Sequence, residues 1–94
     1  MHIGVLALDF HLEGCRSLKE KRHRLSRLRE RFGRKPHLAV CESGHQDSHR
    51  QARWQVVATA DSLRVVEQSL AEVENWVAMS MDATLTGVDR EVLR

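Results

Sequence analysis

The chain is poor in the residues on which several protein classes depend. Its 94 residues include two cysteines, one proline, five glycines, two Phe, two Trp and no Tyr. Two cysteines, Cys15 and Cys41, in no CxxC arrangement are too few for a disulfide framework, so both are expected as free thiols in a reducing compartment. A single proline excludes collagen-like and Pro-rich low-complexity chains. No apolar run approaches the roughly 20 residues of a membrane-spanning helix, and no basic segment leads into an apolar stretch of signal-peptide length. The expectation is a cytoplasmic protein without membrane contact.

Apolar residues make up 41% and charged residues 30% of the chain, the balance of an ordinary globular protein. This length fits one domain, 1–94, with one modest core and no cleft between two domains. The net charge of +2 hides a strong asymmetry. From Arg16 to Lys35 ten basic residues stand against Glu20 and Glu30, a local net of +8, and the remainder carries −6. An uneven field of this kind steers association with phosphate-rich or acidic partners.

Ile3, Val5, Leu6, Ala7, Leu8, Phe10 and Leu12 form a nearly continuous apolar series and predict a central strand. Ser17 with Glu20 three positions later is a capping-box pattern, and it opens a helix predicted from about Leu18 to Phe32, ended by Gly33. Leu18, Lys21, Leu25, Leu28 and Phe32 share one seam, in which the stem of Lys21 lies while its ammonium is expected to reach water. A second strand is read over His37 to Ser43 and a turn over Gly44 to His49. Period-two alternation from Arg53 to Ala60 predicts a third strand. A second helix carries Leu63, Val66, Leu70, Val73 and Val77 at helical spacing, and a short final strand is read between Met81 and Leu93. This βαββαβ order predicts an α+β, ferredoxin-like fold: a four-stranded antiparallel sheet with both helices on one face.

The opening Ile3-Gly4-Val5-Leu6, the run Arg16-Ser17-Leu18-Lys19-Glu20-Lys21-Arg22, and His45-Gln46-Asp47 followed by Ala52 together resemble the bacterial YlxP-like family of uncharacterised small proteins. The resemblance implies a ferredoxin-like fold and a bacterial cytosolic setting. Genes of that family often lie among those for translation initiation and ribosome maturation, which implies a ribosome-linked role and no established reaction. Relatives usually carry an aromatic followed by Gln-Arg after the His-Gln-Asp segment. Here His49, Arg50 and Gln51 stand instead, so a stacking role for that aromatic does not carry over.

The first helix is the leading functional feature. Arg16, Lys19, Arg27 and Arg34 lie on its predicted solvent side, with Arg24 and Arg31 on one edge and Arg22 and Arg29 on the other. The expected RNA contacts are Arg16, Lys19, Arg22, Arg24, Arg27, Arg31 and Arg34, facing a phosphate backbone. Arg16 and Lys19 sit at a helix N-terminus, where cations are disfavoured by a few tenths of a kcal/mol, which points to another purpose for them. The competing reading is that Glu67, Glu72 and Glu74 of the second helix neutralise the first. On the open sheet face Val5, Ala7, Asp9 and His11 are expected beside Arg53, Gln55, Val57 and Thr59. Without aromatics there, base stacking on the sheet is not expected.

His45, Gln46 and Asp47 are expected to form a hydrogen-bonded turn, with Asp47 accepting local amides, and are held open as a partner or ligand contact. His45, Asp47 and His49, with Cys41 nearby, offer zinc-type ligands at a spacing that fits no standard site, so no metal and no cofactor is expected. Cys15, beside Arg16 at a helix start, is the best-placed nucleophile, yet no base or acid partner accompanies it and no catalytic residue is assigned. Trp54 and Trp76 are assigned to the core. The expected function is that of a non-enzymatic accessory protein docking through the basic helix on structured RNA, with ribosomal RNA or a ribosomal subunit as the expected partner. The alternative is a homodimeric protein-interaction module without nucleic acid.

Overall fold

Alternation along the two central strands, broken only by the buried Ala7, decides which face of the sheet is covered. In β1 (His2–His11), Gly4, Leu6, Leu8 and Phe10 are buried, and in β3 (Gln51–Ala60) so are Ala52, Trp54, Val56 and Ala58. The two strands pair antiparallel without interruption from His2↔Ala60 to His11↔Gln51, so these eight residues share one face. The structure is a computed structural model and describes residues 1–93.

The remaining elements are α1 (Leu18–Phe32), β2 (Leu38–Gly44), α2 (Leu63–Ser80) and β4 (Thr84–Leu93), giving the βαββαβ order read from the sequence. The sheet runs β2-β3-β1-β4, with every neighbour antiparallel. Both helices cover the same face. Leu25, Leu28 and Phe32 of α1 and Val66, Leu70, Val73 and Val77 of α2 join the strand residues in one core. The fold is ferredoxin-like.

Local chemistry accounts for the helix boundaries. Ser17 has extended backbone, and its hydroxyl accepts from the Glu20 amide at 3.0 Å, one half of a capping box. The reciprocal half is replaced, because the Glu20 carboxylate faces Arg24 at 3.5 Å. Gly33 ends α1 with its amide donating to the Arg29 carbonyl at 2.7 Å. Helix α2 begins at Ser62 without a side-chain cap and is held by its Val66-Leu70-Val73-Val77 stripe.

Two expectations need correction. The final strand is not short: β4 spans ten residues, as long as β1, because its register follows β1 from Ile3↔Leu93 to His11↔Thr84 around a bulge at Asp9/Phe10. Nor does the Lys21 ammonium reach water; the residue is 2% exposed, and its nitrogen is spent on protein acceptors.

Gly4 marks where α2 presses closest to the sheet, since a Cβ there would lie 2.7 Å from Val66 Cγ1 and 2.8 Å from Leu70 Cδ1. Gly4→Ala is therefore expected to cost about 1 to 3 kcal/mol of stability through overpacking. Urea unfolding checks this, and the penalty should fall in a Val66→Ala background, where only the Leu70 contact remains; an unchanged penalty there would place the strain elsewhere.

Candidate functional site

Helix α1 divides its cations between the interior of the fold and its surface. Lys21 interrupts a seam of leucines, and its ammonium donates to the carbonyls of His45 at 2.7 Å and Ser48 at 2.8 Å, with the Glu42 carboxylate at 3.4 Å. Three donors meet three acceptors, which is the condition for keeping a charged amine out of water. Two of the three segments that carry the family resemblance are thus joined by one side chain: Lys21 of the Arg16–Arg22 run holds His45.

The turn it holds is tight. His45 has a left-handed backbone, φ 59°, and its carbonyl also accepts from the Ser48 amide at 3.0 Å. The side-chain acceptor of an amide in this turn is Ser48, which takes the Gln51 N–H at 3.2 Å; Asp47 does not take the role expected of it. The side chains of His45, Gln46 and Asp47 are exposed, so they stand at the surface over an anchored backbone. Beside them a shallow hollow of about 540 Å³ is lined by Cys15, Arg16, Asp47, Ser48, His49 and Arg50. Cys15 itself is 1% exposed, and its thiol donates to the Ser17 carbonyl at 3.5 Å. Among the described residues no three His, Cys, Asp or Glu side chains converge on a metal position.

Arg24 is a second inward cation. Its guanidinium donates to the carbonyls of Asp82 and Glu13, each at 2.9 Å, and meets the carboxylates of Asp82 at 3.2 Å and Glu20 at 3.5 Å. At 13% exposure it ties α1 to the turn that follows β1 and to the turn that precedes β4, and leaves little for a partner. Arg27 is intermediate in role: exposed, but donating to the Ser80 carbonyl at 3.0 Å with its guanidinium over Trp76.

The rest of the predicted patch faces solvent. Arg16, Lys19, Arg22, Arg31 and Arg34 are exposed, and among the described residues none has a carboxylate within 4.0 Å. Glu74 of α2, one of the acids expected to neutralise α1, pairs instead with Arg90 of β4 at 2.9 Å. The contacts of α1 with α2 are an edge-to-face pair, Phe32–Trp76, and the bonds of Arg27, not ion pairs.

The sequence-based contact set omits Arg29 and treats Trp54 only as core. In the fold these two meet at a groove between α1 and β2, of about 560 Å³, with the Arg29 guanidinium 5.2 Å from the centre of the indole. The spacing of Arg22, Ser26, Arg29 and Gly33 at i, i+4, i+7 and i+11 was the available sign that they share one helix face. The other side of the sheet carries Asp9 against Arg53 at 2.8 Å and no Phe or Trp among Ile3, Val5, Ala7, Asp9, Arg53, Gln55, Val57 and Thr59.

A family of proteins of unknown function, DUF503, matches residues 3–90, a span that includes all three motif segments. The chain belongs to the DUF503 family. No curated protein matches it. Among solved structures it is similar to SnoaB, a cofactor-independent oxygenase from Streptomyces nogalater, with a TM-score of 0.52 at 13% identity, covering 99% of this chain and 91% of that one. At that identity the likeness is one of fold.

Lys21→Met keeps the apolar stem and removes the ammonium, leaving two carbonyls and the Glu42 carboxylate without their donor. It is expected to cost about 3 kcal/mol in urea unfolding, against under about 0.5 kcal/mol for Lys19→Met one turn face away. Equal losses in the two variants would refute the anchoring role of Lys21.

Proposed function

We propose that this protein is a non-enzymatic accessory factor that docks on structured RNA, ribosomal RNA in particular, through the exposed face of α1. The observation that carries the reading is the surplus of surface cations on α1: Arg16, Lys19, Arg22, Arg31 and Arg34 are exposed and lack carboxylate partners among the described residues. From Lys19 to Arg31 they extend over about 18 Å of helix, with Arg16 and Arg34 just beyond its two ends, a length that meets several phosphates. The resemblance to the YlxP-like family, with its setting among genes of translation, supplies the choice of ribosomal RNA and of a cytoplasmic location. Burial of Cys15 favours a role without covalent catalysis.

A second reading, the homodimeric interaction module, is favoured by the open sheet face. There Val5 lies opposite Val57 and Ile3 opposite Leu93, which is 53% exposed. A homodimer buried through that face would show as a doubled mass in sedimentation velocity, with or without RNA.

The test is cosedimentation with ribosomal subunits and with their naked RNA over a salt series. Arg22→Ala and Arg34→Ala are each expected to weaken binding and to lower the slope of log affinity against log salt by about 1. Arg24→Ala should act on stability instead. Absence of binding at low salt would overturn the RNA reading.

A further inference from the structure

The groove between α1 and β2 holds features that backbone docking does not use. Its helical wall alternates long and small residues along one face, Arg22, Ser26, Arg29 and Gly33, so two guanidinium groups stand beside two gaps. Its floor is Trp54, which is 6% exposed. The indole N–H of Trp54 is buried and finds no acceptor in the protein, where such a group ordinarily has one. What covers the ring is Arg29, an exposed side chain with no carboxylate within 4.0 Å among the described residues. A guanidinium held only by a ring face is readily exchanged for another flat group. The volume, about 560 Å³, falls in the range of sites that enclose a small ligand.

We infer that the groove receives one unpaired nucleotide of the RNA bound by α1, its base replacing the Arg29 guanidinium over Trp54. The inference rests on the RNA reading above and adds to it the feature recognised. Proteins select single-stranded positions of folded RNA by stacking an unstacked base on an aromatic ring and bonding its polar edge. Trp54 supplies the ring face, and its N–H, which lies in the ring plane, is a donor in want of an acceptor for a group at the ring's edge, such as the sugar of that nucleotide. Arg22, and Arg29 once displaced, are placed for the flanking phosphates. Glu42, opposite Trp54 in the register of β2 and β3 and already facing Lys21, adds an acceptor for an exocyclic amine. A fully paired duplex keeps its bases stacked inside and offers the groove nothing but backbone.

Trp54 reports on this directly once the other tryptophan is removed. The Trp76→Phe protein would be titrated with an RNA hairpin and with the same hairpin carrying one bulged purine, following Trp54 emission and affinity together. The bulged hairpin should bind at least about tenfold more tightly and quench the emission. Ser26→Leu, which fills the groove from the helix surface without entering the core, should abolish the preference and the quenching while leaving affinity for the paired hairpin in place. Equal affinity for the two hairpins with unchanged emission would overturn the groove and leave docking through α1 standing. Failure of both hairpins to bind at low salt would overturn the docking and the groove with it.

Discussion

The ammonium group of Lys21 holds together three pieces of chain that the rest of the molecule is arranged around. It leaves α1 through a layer of leucines and ends among the His45 and Ser48 carbonyls and the Glu42 carboxylate. A buried amine is tolerable only while all its donors are used, so this geometry admits little rotation or sliding of the helix. Fixing Lys21 fixes its neighbours. Arg22 is turned along the groove toward β2, and Lys19 is turned to solvent. The left-handed backbone of His45 has its counterpart in the same contact, because that residue's carbonyl accepts both the ammonium and the turn-closing amide of Ser48. Strain at a non-glycine residue persists where the surroundings over-determine it, and here they do.

The cations of α1 are alike in sequence and unlike in consequence. Lys21 and Arg24 are consumed by carbonyls and carboxylates of the turns, and they act as struts between α1 and the loops. Arg27 and Arg29 lie over the two indoles, and Arg31 lies over Phe32, contacts that cover apolar rings while the charge stays near water. Arg16, Lys19, Arg22 and Arg34 are left to the surface. A count of charges along the helix overstates the free cations by the two struts and misses that Arg29 covers the Trp54 ring.

Much of the fold was legible because it depends on short-range patterns. Ser17 and Gly33 bracket α1, the alternation about Trp54 and Val56 marks β3, and the Val66-Leu70-Val73-Val77 spacing gives the buried stripe of α2. What could not be read depends on partners far apart in the chain. The acceptors of Lys21 are carbonyls 24 and 27 residues away, and a backbone carbonyl carries no mark in the sequence. The Asp82 carbonyl that holds Arg24 lies 58 residues on. The length of β4 was hidden for a related reason: the charged run Asp89-Arg90-Glu91 carries no strand pattern of its own, and it is held in the strand by its pairing with β1. The Trp54–Arg29 groove needs both the helix azimuth and the strand register, and the first is set by Lys21.

The two faces of the molecule differ in sign, and this bears on how it would meet a polyanion. The open sheet face sets Asp9, Asp89 and Glu91 against Arg53, whose guanidinium is already 2.8 Å from Asp9 and 3.9 Å from Asp89. A phosphate backbone gains nothing there. The cations of α1 lie beyond the helix layer on the far side of the sheet, and both sets of side chains point outward from a molecule that is about 22 Å along each of its two shorter axes. Charges on the two surfaces are thus separated by well over the roughly 8 Å screening length of physiological salt, so the acidic face does not cancel the field of the basic one near its own surface. The small net charge of +2 is therefore a poor guide to association. An approaching polyanion meets a local field set by Arg16, Lys19, Arg22, Arg31 and Arg34, and the opposite face turns it away, so orientation is selected before contact is made.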